Sequence, residues 1–235
     1  MKKALIFRGG WDGHEPVLVS ERFARLLEKN GIHADIFDGT ECLCDKEKLT
    51  EYELIVPCVT MSEISRECEQ NVSYAVSSGV GLAGCHGGMC DAFRHSTDWQ
   101  FITGGQWVAH PGGDGIEYTV NICPTTSQIT EGIKDFKVCS EQYYMHIDPA
   151  IEVLATTRFS LENYCDGAVK HVKMPVAWTK FWGLGRVFYC SLGHHDDVFD
   201  KSPSAQLLME RGMLWAANGK EYARKSAPNI EQYKN

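Results

Sequence analysis

Nine histidines are spread over the 235 residues, and four of them stand beside glycines, prolines or strand-like runs where a fold could gather them. They are His14 in "GWDGHEP", His86 in "GLAGCHGGMC", His110 in "VAHPGG" and His194 in "VFYCSLGHH". Imidazole titrates near neutral pH, so each can serve as acid, base or metal ligand. Glu141, in "CSEQYYM", adds a carboxylate. His14, His86, Glu141 and His194 together offer nitrogen and oxygen donors for a divalent metal such as zinc, with a position left open for water or a substrate oxygen. The same four residues without a metal would act as catalytic acid, base and hydroxyl-binding groups. No local motif such as HExxH decides between these readings, because the donors are far apart in sequence.

Residues so distant must be brought together by the elements between them. "KALIFRGG" reads as a strand closed by glycines, and "EPVLVSERFARLLEKNG" as a helix with Val19, Phe23, Leu26 and Leu27 on one face and Gly31 as its stop. "IHADIFDG", "YELIVPCV" and "VGLAGC" are further strands, and "EISRECEQNVSYAVSSG" is a helix ending at Gly79. Alternation of this kind up to residue 94 predicts an α/β fold: a doubly wound, mostly parallel sheet flanked by helices, flavodoxin-like in class. Ligands of such sheets sit beyond the carboxyl ends of the strands, which is where His14, His86 and His194 fall.

Residues 95–150 break the rhythm with Gly, Pro, His and aromatic residues, and are expected to form an elaborated loop region that shapes the site. Within them "EYTVNIC" is the clearest strand, and "TEGIKDFKV" is a turn followed by extended chain. Three more strands, "IEVLATTRF", "MPVAWTKF" and "GRVFYCSLG", precede an amphipathic helix from Ser204 to Asn218. Residues 1–235 read as a single domain, with 220–235 a polar tail on the surface or crossing to a neighbour.

The stretch from Gly79 to Gly88 holds five glycines. That density permits a tight strand-to-helix elbow with His86 at its tip. Period-two alternation turns Cys85 away from the side that His86 faces, which makes it a poor nucleophile. Backbone amides of Gly87 and Gly88, at the start of the next helix, would favour an anionic group on the substrate.

Bulk composition excludes several classes. A hydrophobic content of 43% with 23% charged residues fits a soluble globular chain. No segment approaches the roughly 18 consecutive apolar residues of a membrane span. The start, "MKKALIF", has too short an apolar run for a secretory leader, so a cytoplasmic protein is expected. A formal net charge of -8 argues against a nucleic-acid binder. Ten cysteines without a CxxC pair suit reduced, mostly buried packing residues better than a disulfide framework. A parallel-sheet protein with aromatic loops is expected to form a homo-oligomer, of a size the sequence does not set.

Several motifs together resemble the ThuA-like (trehalose utilisation) family. They are "GWDGHEP", "GCHGGMCDAF", "ITGGQWVAHPGG", "ITEGIKDFKVCSEQYYM" and, most specifically, "MPVAWTKFWGLGRVFYCSLGHHDDVF". The family is similar in fold to class I glutamine amidotransferases, which carry cysteine at the elbow tip where this chain has His86. The resemblance implies a role in the use of trehalose, related disaccharides or keto-sugars, with His14, His86, His110, Glu141 and His194 at the matching positions. Ser140 stands where many such relatives carry an aspartate, so one carboxylate is missing. Trp11, Trp107 and Tyr143 lie near these motifs and could stack on a sugar ring, with His110, Gly87 and Gly88 completing a substrate-binding surface.

A sugar or keto-sugar enzyme using these residues is the leading expectation. A non-catalytic sugar-binding protein and a divergent amidotransferase using Cys85 or Cys90 are the alternatives. Asp12 is expected to cap the first helix rather than orient His14. Asp196 or Asp197 could orient an imidazole or form an exposed acidic turn. His33 and His171 read as surface residues, and Trp178 as core.

Overall fold

Strands that are apolar on both faces need cover on both sides, and the helices of this chain supply it. The computed structural model describes residues 1–159 and 172–225. The first half runs β1 (Lys2–Gly10), α1 (Pro16–Lys29), β2 (Ile32–Asp38), α2 (Lys46–Leu49), β3 (Leu54–Thr60), α3 (Arg66–Ser77), β4 (Gly81–Cys85), α4 (Gly87–Cys90) and α5 (Thr97–Thr103). The second runs β5 (Gly105–Ala109), β6 (Ile116–Ile122), β7 (Phe136–Ser140), β8 (Tyr144–Ile147), β9 (Glu152–Arg158), β10 (Lys173–Trp182), β11 (Gly185–Cys190), α6 (Asp197–Lys201), α7 (Pro203–Ala217) and α8 (Gly219–Lys225).

Among the described residues, nine strands form one sheet in the order β2-β1-β3-β4-β11-β10-β9-β6-β7. The first five are parallel neighbours, and β10, β9, β6 and β7 extend the sheet antiparallel. The α/β fold expected from the sequence is the fold observed, and residues 95–150 supply much of its antiparallel extension. β5 and β8 pair separately as a small antiparallel ribbon within the region expected to be loop.

Alternation along β1 divides the core. Ala4 and Ile6 join Phe23, Leu27, Phe188, Leu208 and Met213 on one face. Leu5 and Phe7 join Val72, Val76, Trp99, Trp178 and Tyr189 on the other. Trp178 is fully buried, as expected, and its Nε1 donates to the Thr103 carbonyl at 3.0 Å.

Three expectations need correction. The polar tail begins as a helix, α8, because Lys220 is buried and its ammonium donates to the carbonyls of Thr50 and Tyr52, both at 2.6 Å. Residues 226–235, Cys165 and His171 lie outside the described residues. The cysteines are not all reduced: Cys44 and Cys68 form a disulfide. Cys58, Cys85, Cys90 and Cys190 are free and buried, whereas Cys139 is exposed. Asp12 does not cap α1 with its side chain. Its backbone carbonyl accepts from Glu15 N–H at 2.9 Å, and α1 starts from Glu15 and Pro16.

Candidate functional site

Three parallel strands end in histidine-bearing turns at one edge of the sheet. The connection leaving β1 makes a 3-10 turn, Asp12–His14, that buries His14. β4 ends at Cys85, and His86 follows as the elbow tip with φ 48° and ψ -144°, a backbone conformation rare for a non-glycine residue. Neighbouring bonds hold it there: His86 N–H donates to the Cys190 carbonyl at 2.7 Å, and Tyr189 Oη–H donates to the His86 carbonyl at 3.1 Å. His194 follows β11 and is buried. Glu141 arrives from the antiparallel half, just after β7, and its carbonyl accepts from Tyr118 Oη–H on β6 at 2.9 Å.

These side chains converge. His86 Nε2 lies 3.1 Å from Glu141 Oε2 and 3.3 Å from His194 Nδ1. His194 Nδ1 lies 3.3 Å from the same Oε2, closing a nearly equilateral triangle. The His14 ring centroid is 4.7 Å from that of His86 and 5.0 Å from that of His194. His14 Nδ1 bonds the Thr60 hydroxyl at 2.9 Å. A Cβ on Gly87 would stand 2.5 Å from His14 Cε1, so only glycine lets the two segments approach. Behind the rings, a cavity of about 10 Å³ between His14, Cys58, Cys85 and His86 is water-sized. Anything larger must come from the loop side.

Electrostatics sharpen the picture. Burial, followed by the nearby imidazoles of His86 and His194, pushes His14 down to about 2, so its ring is neutral. Burial lowers His86 as well, against the opposing pull of Glu141. Burial by itself would raise Glu141, but its contacts with His194 and His86 outweigh that and hold the carboxyl well below its usual range.

His86 Nδ1 lies 2.8 Å from the Ser191 carbonyl, which can only accept, so Nδ1 carries the proton. Its Nε2 then points a lone pair at a carboxylate oxygen that also only accepts. A proton on His194 Nδ1, or a cation at the centre, is what such a triangle can hold. Bonds of about 2.0–2.1 Å to a tetrahedral zinc ion set neighbouring donors about 3.3 Å apart. The triangle has one such face, and His14 offers a fourth ligand atom within 4.8 Å of the other three.

The remaining expected residues divide. Trp11 is exposed at the mouth, with its ring centroid 4.7 Å from His14 and 6.3 Å from His194. His110 brings Nε2 to 3.6 Å from Glu141 Oε1, and its Nδ1 is buried without a hydrogen-bond partner. Trp107 stacks on His110 at 5.6 Å and stands one layer out from the imidazoles. Tyr143 is buried against the face of His86 at 3.9 Å, so it packs the ring from behind rather than offering an open platform. Gly87 lines the cluster, whereas Gly88 packs against the backbone of Cys58.

Asp196 does not orient an imidazole: Arg22 holds it in a bidentate pair at 2.6 and 2.7 Å. Asp197 pairs on the surface with Lys201. Burial raises Cys85 and Cys90 well above the usual thiol range, as befits packing residues.

Three neighbours of the site, Thr60, Tyr118 and Asp114, do not stand out in the sequence, whereas His195 directly follows His194 after β11. Thr60 ends β3 at the same sheet edge, so the strand-end rule that points to the histidines applies to it too. Asp114 sits in the loop that starts at His110, where glycines at 112, 113 and 115 mark a turn. His195 Nε2 is 3.4 Å from Asp114 Oδ2.

A half-parallel α/β sheet whose glycine-rich elbow carries an imidazole at its tip is the frame of this site. The chain belongs to the trehalose utilisation (ThuA) family, whose sequence profile matches residues 3–216. A ThuA-like protein from Bacteroides uniformis superposes with a TM-score of 0.74 at 20% identity, over 92% of this chain and 91% of that one. One from Parabacteroides merdae gives 0.74 at 19%, over 93% and 91%. A glutamine amidotransferase from Thermotoga maritima gives 0.55 at 12%, over 98% and 87%. At these identities the likeness concerns the fold. No curated protein matches the chain. Among the described residues, no helix is long and apolar enough to cross a membrane.

Proposed function

We propose that the protein is an enzyme of carbohydrate utilisation that acts on a sugar or keto-sugar at a divalent-cation site formed by His14, His86, Glu141 and His194. The observation that carries this reading is the triangle of His86 Nε2, His194 Nδ1 and Glu141 Oε2, with edges of 3.1 to 3.3 Å. Two acceptors face each other there without a proton of their own, which favours a cation between them. Neutral imidazoles suit the same role, since a protonated ring cannot ligate. A bound zinc-like ion would supply Lewis-acid polarisation of a substrate oxygen.

The chain's own groups do the rest. His110 stands at the mouth with Nε2 directed at Glu141 Oε1, so the carboxylate orients the ring as it takes up charge. A carbonyl in a keto-sugar acidifies the adjacent C–H. His110 removes that proton, the C–H electrons move towards the carbonyl oxygen, and the imidazolium then returns the proton to the same or a neighbouring position. Trp11 offers its exposed face to the apolar side of the ring.

The test is proton NMR in deuterium oxide with a panel of keto-disaccharides, with and without added zinc. Exchange or turnover next to the carbonyl is expected for the wild-type protein and lost in Glu141→Gln and His110→Ala. Absence of both exchange and zinc binding in the wild-type protein overturns the reading.

A further inference from the structure

We propose a second cation site, made by Asp114, His194 and His195, that shares the His194 imidazole with the first. It rests on the reading of the buried triangle as a cation site. His194 faces two ways: Nδ1 points at Glu141 Oε2 at 3.3 Å, and Nε2 points at Asp114 Oδ2 at 3.9 Å. His195 Nε2 approaches the same Asp114 oxygen at 3.4 Å. The three ligand atoms lie within 4.8 Å of one another. Both separations are longer than an ordinary N–H···O hydrogen bond of about 2.7–3.2 Å. Donors around a zinc or cobalt ion sit about 3.3 Å apart, so a small inward shift of Asp114 completes the set. That residue is placed to make it, since glycines flank it on both sides and two of them have open space where a Cβ would stand.

The other ring nitrogen of His195 faces away from Asp114, towards Glu15. This Nδ1 is buried without a hydrogen-bond partner, and the nearest carboxylate on that side, Glu15, is 3.9 Å away. Glu15 already accepts from Asp196 N–H at 2.8 Å. The ring thus stands between two carboxylates and bonds neither. Positive side chains nearby are engaged elsewhere: Lys201 pairs with Asp197 at 2.6 Å, and Arg22 with Asp196 and Asp200. The field at this mouth is negative and suits a cation.

The two sites differ in access. The first is enclosed by buried side chains, whereas the Asp114 and His195 side chains are 50% and 38% exposed. The second ion exchanges with solvent and binds more weakly. The loop from His110 to Gly115 then touches both ions' ligands, His110 at its start and Asp114 near its end. An ion there would take sugar oxygens at the entrance, so the ligand is a borderline divalent cation with open positions facing solvent.

The experiment titrates the full chain, made without a histidine tag, with Co2+ alone followed by visible absorption, and with Zn2+ alone by calorimetry. Two equivalents per chain are expected in the wild type, the second weaker. Asp114→Ala and His195→Gln each remove the weaker equivalent and change the affinity of the tighter one less than about 3-fold. Glu141→Gln removes the tighter one. A single equivalent lost in Glu141→Gln and retained in Asp114→Ala overturns the second site and leaves the first standing. The opposite pattern removes the first site and keeps the second. Two equivalents retained in both Asp114→Ala and His195→Gln also overturn the second site, and no binding in the wild type removes both.

Discussion

The parallel and antiparallel halves of the sheet make unlike contributions to one site. The parallel strands β1, β3, β4 and β11 end in turns that bring His14, Thr60, His86 and His194 to a common edge, where His14 bonds the Thr60 hydroxyl and His86 donates to the Cys190 and Ser191 carbonyls. The antiparallel half delivers Glu141, and the loop before β6 delivers His110 and Asp114, which are partly or largely exposed. The nitrogen donors are therefore fixed by the scaffold, and the charge and the entrance come from the extension. A binding site assembled this way can keep its rigid donor set while its mouth moves.

That contrast can be broken or sharpened by substitution, beginning with the largest effect. His86→Ala and Glu141→Gln remove a donor from each half, and each should lower zinc affinity by more than about 100-fold in calorimetry. If either variant binds zinc as the wild type does, the halves do not meet in a metal site.

Thr60→Val frees the His14 ring from its hydroxyl partner and should cost about 10- to 100-fold in the same titration. Gly87→Ala drives a methyl into His14 and should destabilise the fold by about 1–3 kcal/mol, read from urea unfolding. Tyr118→Phe removes only the hydroxyl that holds the Glu141 carbonyl. A loss of about 1 kcal/mol is expected, with a smaller effect on zinc than Thr60→Val has. A larger effect from Tyr118→Phe would place the stiffness in the antiparallel half instead.

Trp11→Ala should leave stability within about 0.5 kcal/mol and weaken sugar binding by roughly 3- to 10-fold in a titration. Binding that is unchanged would remove Trp11 from the entrance.

Much of this arrangement is legible in the amino-acid sequence. Glycine spacing at 79–88 marks the elbow, and the rule that ligands gather at carboxyl strand ends puts His14, His86 and His194 together although they come from three distant segments of the chain. Glu141 is reached through motif resemblance, since nothing in "CSEQYYM" by itself says that the chain there turns inward. The ribbon of β5 and β8 leaves no such mark because its strands, five and four residues long, are too short to set a period. The Cys44–Cys68 disulfide and the Arg22–Asp196 pair are hidden for a different reason: both depend on which surfaces of separate elements touch, and no local pattern records that. Tyr143 departs from its expected place on the substrate surface because an aromatic residue near a site has the same sequence signature whether it packs behind a ligand or faces the solvent.

Three non-glycine residues have positive φ among the described residues: Glu15 at 48°, Met61 at 51° and His86 at 48°. Each lies in the connection that leaves a parallel strand towards the site. Backbone held in such conformations costs about 1–3 kcal/mol per residue and survives only where the surroundings over-determine it. The conformational stress of the molecule is thus gathered on one rim, while the buried strand interiors are relaxed. All three amides are hydrogen-bonded, so they should exchange with deuterium later than those of the exposed loop from His110 to Gly115, by which a ligand can enter without disturbing the sheet.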